Sequence, residues 1–237
     1  MQTEGRNAVF ELLSSGAPIE KIMMEKDARG SLGRIFAQAR KSGVRVQFVE
    51  RQVLDKRSVT GRHQGCIAFS ADYEYSSLDD IISRAAPGGG FVVICDGIED
   101  VHNLGSIIRV AECAGADGVI IPSNNSASVT EAVIRISAGA ANHIKVAKVN
   151  SLGNAMNDLK SAGFWLYALE ADGTSIYSAD LSGSVALVVG GEDSGVRRMT
   201  RERCDATLSI PLRGKVNSLN ASVALGIAAY EVVKTRS

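Results

Sequence analysis

The sequence predicts an α/β protein in which a mostly parallel sheet is covered by helices on both faces. From residue 91 onward, apolar runs typical of buried strands alternate with segments of helical periodicity. The composition, with 45% hydrophobic and 22% charged residues, is ordinary for a globular protein. The 237 residues suffice for one large domain, or for a small domain joined to a medium one.

The first 70 residues predict a small α/β domain. Its elements are a helix, a strand, a basic amphipathic helix and a strand, at residues 7–13, 21–25, 31–41 and 44–49. A boundary follows, because the chain turns acidic and then reaches Pro87 and three glycines. Ser77 followed by Asp80 is typical of a helix start within this stretch. We therefore predict an N-terminal domain at 1–72, a linker at 73–90 and a C-terminal domain at 91–237.

The C-terminal domain is predicted to hold most of the sheet. Its strands are predicted at residues 91–95, 118–121, 144–149, 165–169, 185–189 and 207–211. Its helices are predicted at residues 103–114, 129–137, 152–162, 196–203 and 220–234.

Charge is distributed unevenly along a chain whose net charge is zero. Residues 1–70 hold 12 Lys and Arg against 7 Asp and Glu, whereas residues 71–237 hold 14 against 19. The basic N-terminal part has two interpretations, a chance excess on a solvated face or a footprint for the phosphates of a nucleic acid.

Other classes of protein find little support in the sequence. No apolar run approaches the roughly 18–20 residues that span a bilayer. The N-terminus also lacks the basic segment and apolar core of a secretory signal, so we expect a cytoplasmic protein without a membrane partner. The four cysteines and three histidines are too scattered to form a metal-ligand pattern, and we expect no metal site.

The first polar segment, DGIEDVHNLGSIIR, follows the strand predicted at 91–95. The carboxyl end of a parallel strand is where α/β sheets bind their ligands. Asn103 and Arg109 are six residues apart and need not share a helical face, although the long Arg109 side chain could reach back. The alternative is that Asn103 caps the helix and Arg109 forms a surface ion pair.

The second polar segment, GGEDSG, follows the strand predicted at 185–189. Gly190 and Gly191 would let the backbone pass close to a ligand, with Glu192 at the strand end. The helix predicted at 196–203 would offer free N–H groups at its start. The spacing is neither that of a dinucleotide fingerprint nor that of a Walker loop, and a tight turn with a capping acid is the alternative.

The third polar segment, IPLRGKVNSLNASVA, ends a strand, forms a polar loop and opens a helix at residues 217–220. That helix is rich in small residues, which permit close packing against other backbone or against a partner subunit. The alternative is an ordinary buried helix with a double Asn/Ser cap.

In this order, the three segments resemble the motifs of the SpoU-type RNA ribose 2′-O-methyltransferases, the TrmH family of the SPOUT superfamily, over residues 91–235. The N-terminal GRNAVFELL and GRHQGCIAF resemble the small α/β RNA-binding domain that precedes the catalytic domain in bacterial 23S rRNA guanosine 2′-O-methyltransferases. The resemblance implies a deep trefoil knot formed by the C-terminal strand and helix, a fold feature that is rare. It also implies S-adenosylmethionine as cofactor, RNA as substrate and a homodimer.

The resemblance also assigns site residues. Gly190, Ile210 and Leu219 match cofactor-binding positions. The polar catalytic set is matched by Asn103, Arg109, Glu192, Ser218 and Asn220.

Arg109 is the residue that the resemblance places at the reacting hydroxyl. Because a guanidinium stays charged in proteins, we expect Arg109 to hold the adjoining phosphate and to favour the developing alkoxide, rather than to act as a base. Asn103, Ser218 and Asn220 would position Arg109 and the ribose, and Glu192 would orient the arginine. Candidates for phosphate contacts in the N-terminal domain are Arg29, Arg34, Arg40, Lys41, Arg57 and Arg62.

Three other functions stay open at this point. The chain could methylate tRNA, it could be an adenosine-directed rRNA resistance methyltransferase, or it could be a non-catalytic RNA-binding assembly factor. The intact set of polar residues favours an enzyme over the last of these. A Rossmann dehydrogenase or an NTPase is poorly supported, because neither phosphate-binding loop occurs.

Overall fold

The protein folds into two compact units, Met1–Tyr73 and Glu74–Ser237. A computed structural model describes residues 2–14, 19–26, 30–70, 73–85, 88–192 and 194–236. Among these residues, no helix is long and apolar enough to cross a membrane.

The N-terminal unit is built on a four-stranded sheet with the order β1-β4-β2-β3. Its strands are β1 (Gln2–Glu4), β2 (Ile19–Glu25), β3 (Arg45–Val49) and β4 (Cys66–Ser70). Its helices are α1 (Arg6–Ser14), α2 (Ser31–Lys41) and α3 (Arg51–Arg57). Strands β2 and β3 run parallel, and the other pairs are antiparallel.

Helices cover both faces of this small sheet. Val9 of α1 and Ile35 of α2 are buried against Ile22 and Met24 of β2. On the opposite face, Leu54 of α3 packs in a second cluster with β2, β3 and β4. The four predicted elements are present, and α2 has the predicted bounds. The sequence did not predict β1, β4 or α3.

The C-terminal unit is built on a six-stranded parallel sheet with the order β10-β8-β9-β5-β6-β7. Its strands are β5 (Phe91–Asp96), β6 (Gly118–Pro122), β7 (Lys145–Val149), β8 (Trp165–Ser175), β9 (Val185–Gly190) and β10 (Ala206–Ser209). Its helices are α4 (Leu78–Arg84), α5 (Val101–Cys113), α6 (Glu131–Ile136), α7 (Leu152–Ser161), α8 (Arg198–Arg201) and α9 (Ala221–Thr235). The α/β class with a parallel sheet is therefore confirmed.

Strands β5 and β9 lie side by side at the centre of the sheet. Their register pairs Phe91 with Val185 and continues without a shift to Asp96 and Gly190. All residues of β5 are buried, as are Val185–Val189 of β9, because helices cover both faces. The ends of the two strands, where the first two polar segments begin, are therefore neighbours.

The segment predicted as a linker contributes to the core of the C-terminal unit. Ser77 and Asp80 form a capping box at the start of α4, as the sequence indicated. Ile81 of α4 is fully buried in the core, and the Ser76 N–H donates to the Val146 carbonyl at 2.9 Å. The chain is thus part of this unit well before residue 91.

Helix α9 packs against α5 and strand β9. Leu225, Ala228, Ala229 and Val232 of α9 are buried, and the small residues among them allow the close packing that the sequence suggested. At the end of α9, the Arg236 guanidinium donates to the carbonyls of Gly89, Gly90 and Gly183 at 2.7–2.9 Å. The knotted path that the resemblance implies stays a prediction.

Candidate active site

A cavity of about 320 Å³ lies beside the middle of β8 and at the ends of β9 and β10. Its wall consists of parts of the second and third polar segments and of residues from the middle of β8. The predicted cofactor residues Gly190, Ile210 and Leu219 all lie on its wall, together with Glu192 and Ser218. The rest of the wall is formed by Leu169, Glu170, Ala171, Val189, Gly191, Ser194, Gly195, Leu208, Leu212, Asn217, Ala221 and Ala224.

One side of the cavity is formed where β8 leaves the sheet. Along β10, Thr207 pairs with Ala168 but the next residue, Leu208, pairs with Thr174. The residues between these two partners on β8, 169–173, therefore bulge out of the ladder. The sequence predicted that this strand ends at residue 169, whereas it resumes after the bulge and continues to Ser175.

The loop that follows β9 can fold back on itself only if residue 190 is a glycine. A Cβ atom on Gly190 would overlap the backbone of Gly195 and Val196, so no side chain fits there. The Gly195 N–H donates to the Gly191 carbonyl at 2.9 Å and closes the turn. The sequence predicted a close approach between Gly190 and a ligand, and the structure shows in addition a close approach between Gly190 and the backbone of its own loop.

The prediction of free N–H groups in front of the helix at 196–203 is wrong. Helix α8 covers only Arg198–Arg201, and carboxylates from β5 and β8, the strands on either side of β9, already bind the N–H groups that precede it. The Val196 N–H donates to Glu170 Oε1 at 2.5 Å, and the Arg197 N–H donates to Asp96 Oδ2 at 2.9 Å.

These two carboxylates were missed by the sequence analysis. Asp96 is only 1% exposed, and its other oxygen lies 3.6 Å from Nη1 of Arg197. An acidic residue that ends an apolar strand was the available signal for Asp96. For Glu170 the sequence offers no comparable signal, because its position depends on the bulge.

Asn220 joins the three polar segments in one hydrogen-bonded cluster. Its Nδ2 donates to Asn103 Oδ1 at 2.8 Å and to Glu192 Oε1 at 2.7 Å. Its Oδ1 accepts from the N–H and the hydroxyl of Ser222, at 2.9 Å and 2.6 Å, and so caps α9. Asn220 is therefore both a helix cap and the link between Asn103 and Glu192.

Asn103 is available for this cluster because a different residue caps α5. Asp100 Oδ1 accepts from the N–H groups of His102 and Asn103 at 2.8 Å and 2.9 Å. The alternative that Asn103 is the N-cap is therefore wrong. Its side chain, on a residue 9% exposed, accepts the hydrogen bond from Asn220 instead.

Arg109 is not brought into this cluster within one chain. It lies exposed on α5, and its side chain forms no hydrogen bond or ion pair with any residue that the structure describes. Glu192, which we expected to orient Arg109, is bound to Asn220. Ser218 is exposed on the cavity wall. Four of the five predicted catalytic residues thus lie at or beside the cavity, and Arg109 stands apart from them.

The candidate phosphate-binding residues of the N-terminal unit are exposed where the structure describes them. Arg40 and Lys41 end α2, a helix without any acidic residue. Arg34 of the same helix stacks over the Phe10 ring at 5.3 Å. Arg57 and Arg62 are also exposed, and none of the five forms an ion pair with another described residue. Arg29 lies outside the described residues.

Three of the four cysteines are poor nucleophiles, and the described residues contain no cluster of metal-ligating side chains. No group of three or more His, Cys, Asp or Glu side chains there could hold a metal ion. Burial raises the pKa of Cys66 to about 11, and the pKa values of Cys95 and Cys204 to about 12. These three thiols therefore stay protonated near neutral pH.

Two family models together match nearly the whole chain. Residues 90–230 match the SpoU rRNA Methylase family, and residues 3–76 match the RNA 2′-O ribose methyltransferase substrate binding family. A Bacillus subtilis protein, named as a TrmH family tRNA/rRNA methyltransferase, is 40% identical over 237 residues, which cover 98% of this chain and 95% of the relative.

Solved structures show the same relationship. An AdoMet-bound rRNA methyltransferase from Sinorhizobium meliloti is 25% identical, with a TM-score of 0.64, and the match covers 98% of this chain and 86% of that one. A TrmH/SpoU tRNA modifying enzyme from A. aeolicus is also 25% identical, with a TM-score of 0.58. It matches 67% of this chain and 80% of its own length. The chain therefore belongs to the SpoU/TrmH family of RNA methyltransferases and carries that family's substrate-binding domain ahead of its methylase domain.

Proposed function

We propose that this protein transfers a methyl group from S-adenosylmethionine to the ribose 2′-OH of a guanosine in large-subunit (23S) rRNA. The observation that carries the proposal is the Asn103–Asn220–Glu192 cluster, which joins one residue from each polar segment beside a cavity of small-molecule size. Each residue alone is explicable as a cap or a turn residue, but their meeting at one cavity is typical of a built site.

The cavity fits the cofactor in size and chemistry. Its volume of about 320 Å³ falls within the roughly 300–1,000 Å³ of small-molecule sites. Leu169, Val189 and Ile210 supply apolar wall, and the charged residues among the described lining are carboxylates. When bound, the cofactor supplies an electrophilic methyl group on a positively charged sulfonium.

The residues of the chain would act mainly by alignment. Asn220 fixes the side chains of Asn103 and Glu192 relative to each other, and Ser218 offers a hydroxyl on the cavity wall. Holding two reactants in a productive geometry contributes on the order of 7–11 kcal/mol to a reaction. A charged Arg109 would hold the phosphate beside the ribose and stabilise the oxygen as its proton leaves.

A homodimer would complete this site. Arg109 has no partner among the described residues of its own chain. Near the cavity, Leu212, Val216 and Leu219 are exposed apolar residues, and Val223 and Tyr230 are exposed on α9. Exposed apolar residues grouped in this way are typical of subunit interfaces. A second subunit packed here would bring its own arginine to the cavity.

Ribosomal RNA is favoured over tRNA by the N-terminal unit. The S. meliloti rRNA enzyme matches this chain over nearly its full length, whereas the A. aeolicus tRNA enzyme matches about two thirds of it. Exposed arginines on α2 without acidic neighbours on the same helix suit the neutralisation of RNA phosphates. Such an enzyme would act in the cytoplasm, where its RNA is made and assembled.

Mapping 2′-O-methyl positions in total RNA from cells with and without the gene tests the substrate. We expect one signal to disappear from the peptidyl-transferase region of large-subunit rRNA, and to return with the wild-type gene but not with an Asn220→Ala copy. Loss of a tRNA signal would replace rRNA by tRNA as substrate. Loss of an rRNA adenosine signal would indicate the resistance-enzyme alternative, and an unchanged map would favour an assembly factor.

A further inference from the structure

Glu170 occupies an unusual position in the cavity wall. It lies in the bulge of β8, and its Oε1 accepts the Val196 N–H at 2.5 Å. The carboxylate packs directly over Gly195, where an added Cβ atom would lie 2.6 Å from Oε1. Glu170 therefore holds the loop that carries Gly190 and Glu192 against the bulge, while its side chain still faces the cavity.

Among the described residues that line the cavity, Glu170 and Glu192 carry the only charges. No lysine or arginine of the described chain lines it, and the Glu192 carboxylate is already bound by Asn220 through one oxygen. Glu170 has one oxygen engaged by a neutral backbone N–H. The Arg201 guanidinium acts on Glu170 electrostatically, but its ion pair is with Asp172 at 3.0 Å. The cavity wall therefore favours a positively charged ligand.

We propose that Glu170 is a specificity-determining residue, which makes the cavity prefer the positively charged sulfonium cofactor over the uncharged thioether product. This inference rests on the proposed function. Methyl transfer converts the sulfonium of S-adenosylmethionine into the neutral sulfur of S-adenosylhomocysteine and changes little else in the molecule. A fixed carboxylate in the cavity wall would therefore stabilise the sulfonium form more than the neutral thioether, and would help the product to leave.

The substitution Glu170→Gln separates charge from structure. Glutamine has the shape of glutamate, and its carbonyl oxygen still accepts the Val196 N–H, so the loop stays closed. Calorimetric titration of the purified wild-type and E170Q proteins with each ligand gives four dissociation constants. We expect E170Q to bind S-adenosylmethionine about tenfold more weakly, the effect of one charge at short range in a partly solvated site. Its affinity for S-adenosylhomocysteine should change by less than about twofold.

Two further variants control the experiment. Glu202→Gln removes an exposed acid that pairs with Arg198 at 2.7 Å and does not line the cavity, so both dissociation constants should stay at the wild-type values. Glu170→Asp keeps the charge but shortens the side chain. It should weaken both ligands while preserving their ratio, and it serves the test even if E170Q folds poorly.

The possible failures are distinguishable. A wild-type protein that binds neither ligand would overturn the proposed function itself. If the wild type binds both ligands and E170Q weakens them equally, Glu170 only supports the loop and the inference is wrong. The inference is also wrong if the ratio of the two dissociation constants is unchanged in E170Q, or if that ratio is lost in E170D.

Discussion

Replacing Asn220 by alanine should damage both the stability and the activity of the protein. The change removes the oxygen that caps α9, a loss of about 1 kcal/mol. It also leaves the Oδ1 of Asn103, on a residue 9% exposed, without its donor, which costs about 1–3 kcal/mol. Glu192 is exposed, so water can replace its lost hydrogen bond and it adds little to the loss in the free energy of unfolding. The expected loss in the free energy of unfolding is about 2–4 kcal/mol.

Activity should fall further than stability alone explains. Without the link between Asn103 and Glu192, the groups around the reacting hydroxyl lose their fixed geometry, and a misplacement of about 1 Å can cost a factor of about 100 in rate. Single-turnover transfer of a radiolabelled methyl group to rRNA measures this loss, and chemical denaturation measures the stability.

Two variants separate the cap from the link. Ser151 caps α7 through the Asn154 N–H, away from the cavity, so Ser151→Ala should lose about 1 kcal/mol and keep wild-type activity. Asn220→Asp keeps a capping oxygen but loses both donated hydrogen bonds and places a carboxylate oxygen against Glu192, so it should be as inactive as Asn220→Ala. Wild-type turnover by Asn220→Ala, or by Asn220→Asp, would refute the role of the cluster.

Other perturbations test separate parts of the account. Arg109→Lys should leave the melting temperature unchanged, because Arg109 has no partner among the described residues, and should lower methyl transfer at least about tenfold, since lysine cannot bind a phosphate in bidentate fashion. Replacing Arg34 and Arg40 together by glutamine should weaken RNA binding and lower its salt slope by about 1.4, the contribution of two phosphate contacts to single-stranded RNA. Burial would raise the pKa of Glu4, but its hydrogen bonds outweigh this and lower the pKa from 4.5 to about 2. The resulting stabilisation is complete above the unfolded-state pKa and is lost as the pH falls from about 5 toward 2, as acid titration of the unfolding free energy should show.

For each of these predictions, one result would contradict it. Near-normal activity of the Arg109 variant would remove the phosphate-holding role, and an unchanged salt slope would remove α2 from the RNA interface. For Glu4, the matched control is Glu4→Gln, in which the acid loss should largely vanish. An equally steep loss in that variant would assign the pH dependence to other groups.

The central sheet could be predicted from the sequence because its strands are buried on both faces. Strands β5 and β9 are continuous apolar runs, and their ends carry the polar segments, so both the sheet and the edge that bears the site follow from the pattern. The basic, amphipathic α2 was equally visible because three turns of helix give a clear period.

The parts that escaped prediction depend on contacts between distant segments. The bulge in β8 is defined by pairing with β10, more than thirty residues later in the chain. Helix α8 begins only at Arg198, after the two residues whose N–H groups are bound by Asp96 and Glu170 from two other strands. Elements such as β1 and α3 are too short to show a period.

The sequence could predict which residues belong to the candidate site, but not which of them are hydrogen-bonded to each other. The motifs indicated Asn103, Glu192 and Asn220, but only the structure shows that Asn220 holds the other two. The expected link between Glu192 and Arg109 could not be tested by spacing, because it depends on which donor lies next to the Glu192 carboxylate in the fold, and that donor is Asn220.

The most direct test of the central claim is the chemical position of the transferred methyl group. Purified protein is incubated with methyl-labelled S-adenosylmethionine and with rRNA from cells that lack the gene, and the product is hydrolysed in alkali. A methylated 2′-oxygen blocks alkaline cleavage, so the account predicts that the label appears in alkali-resistant dinucleotides from large-subunit rRNA, and that Asn220→Ala greatly reduces it. Label recovered in mononucleotides would place the methyl group on a base and would contradict the account.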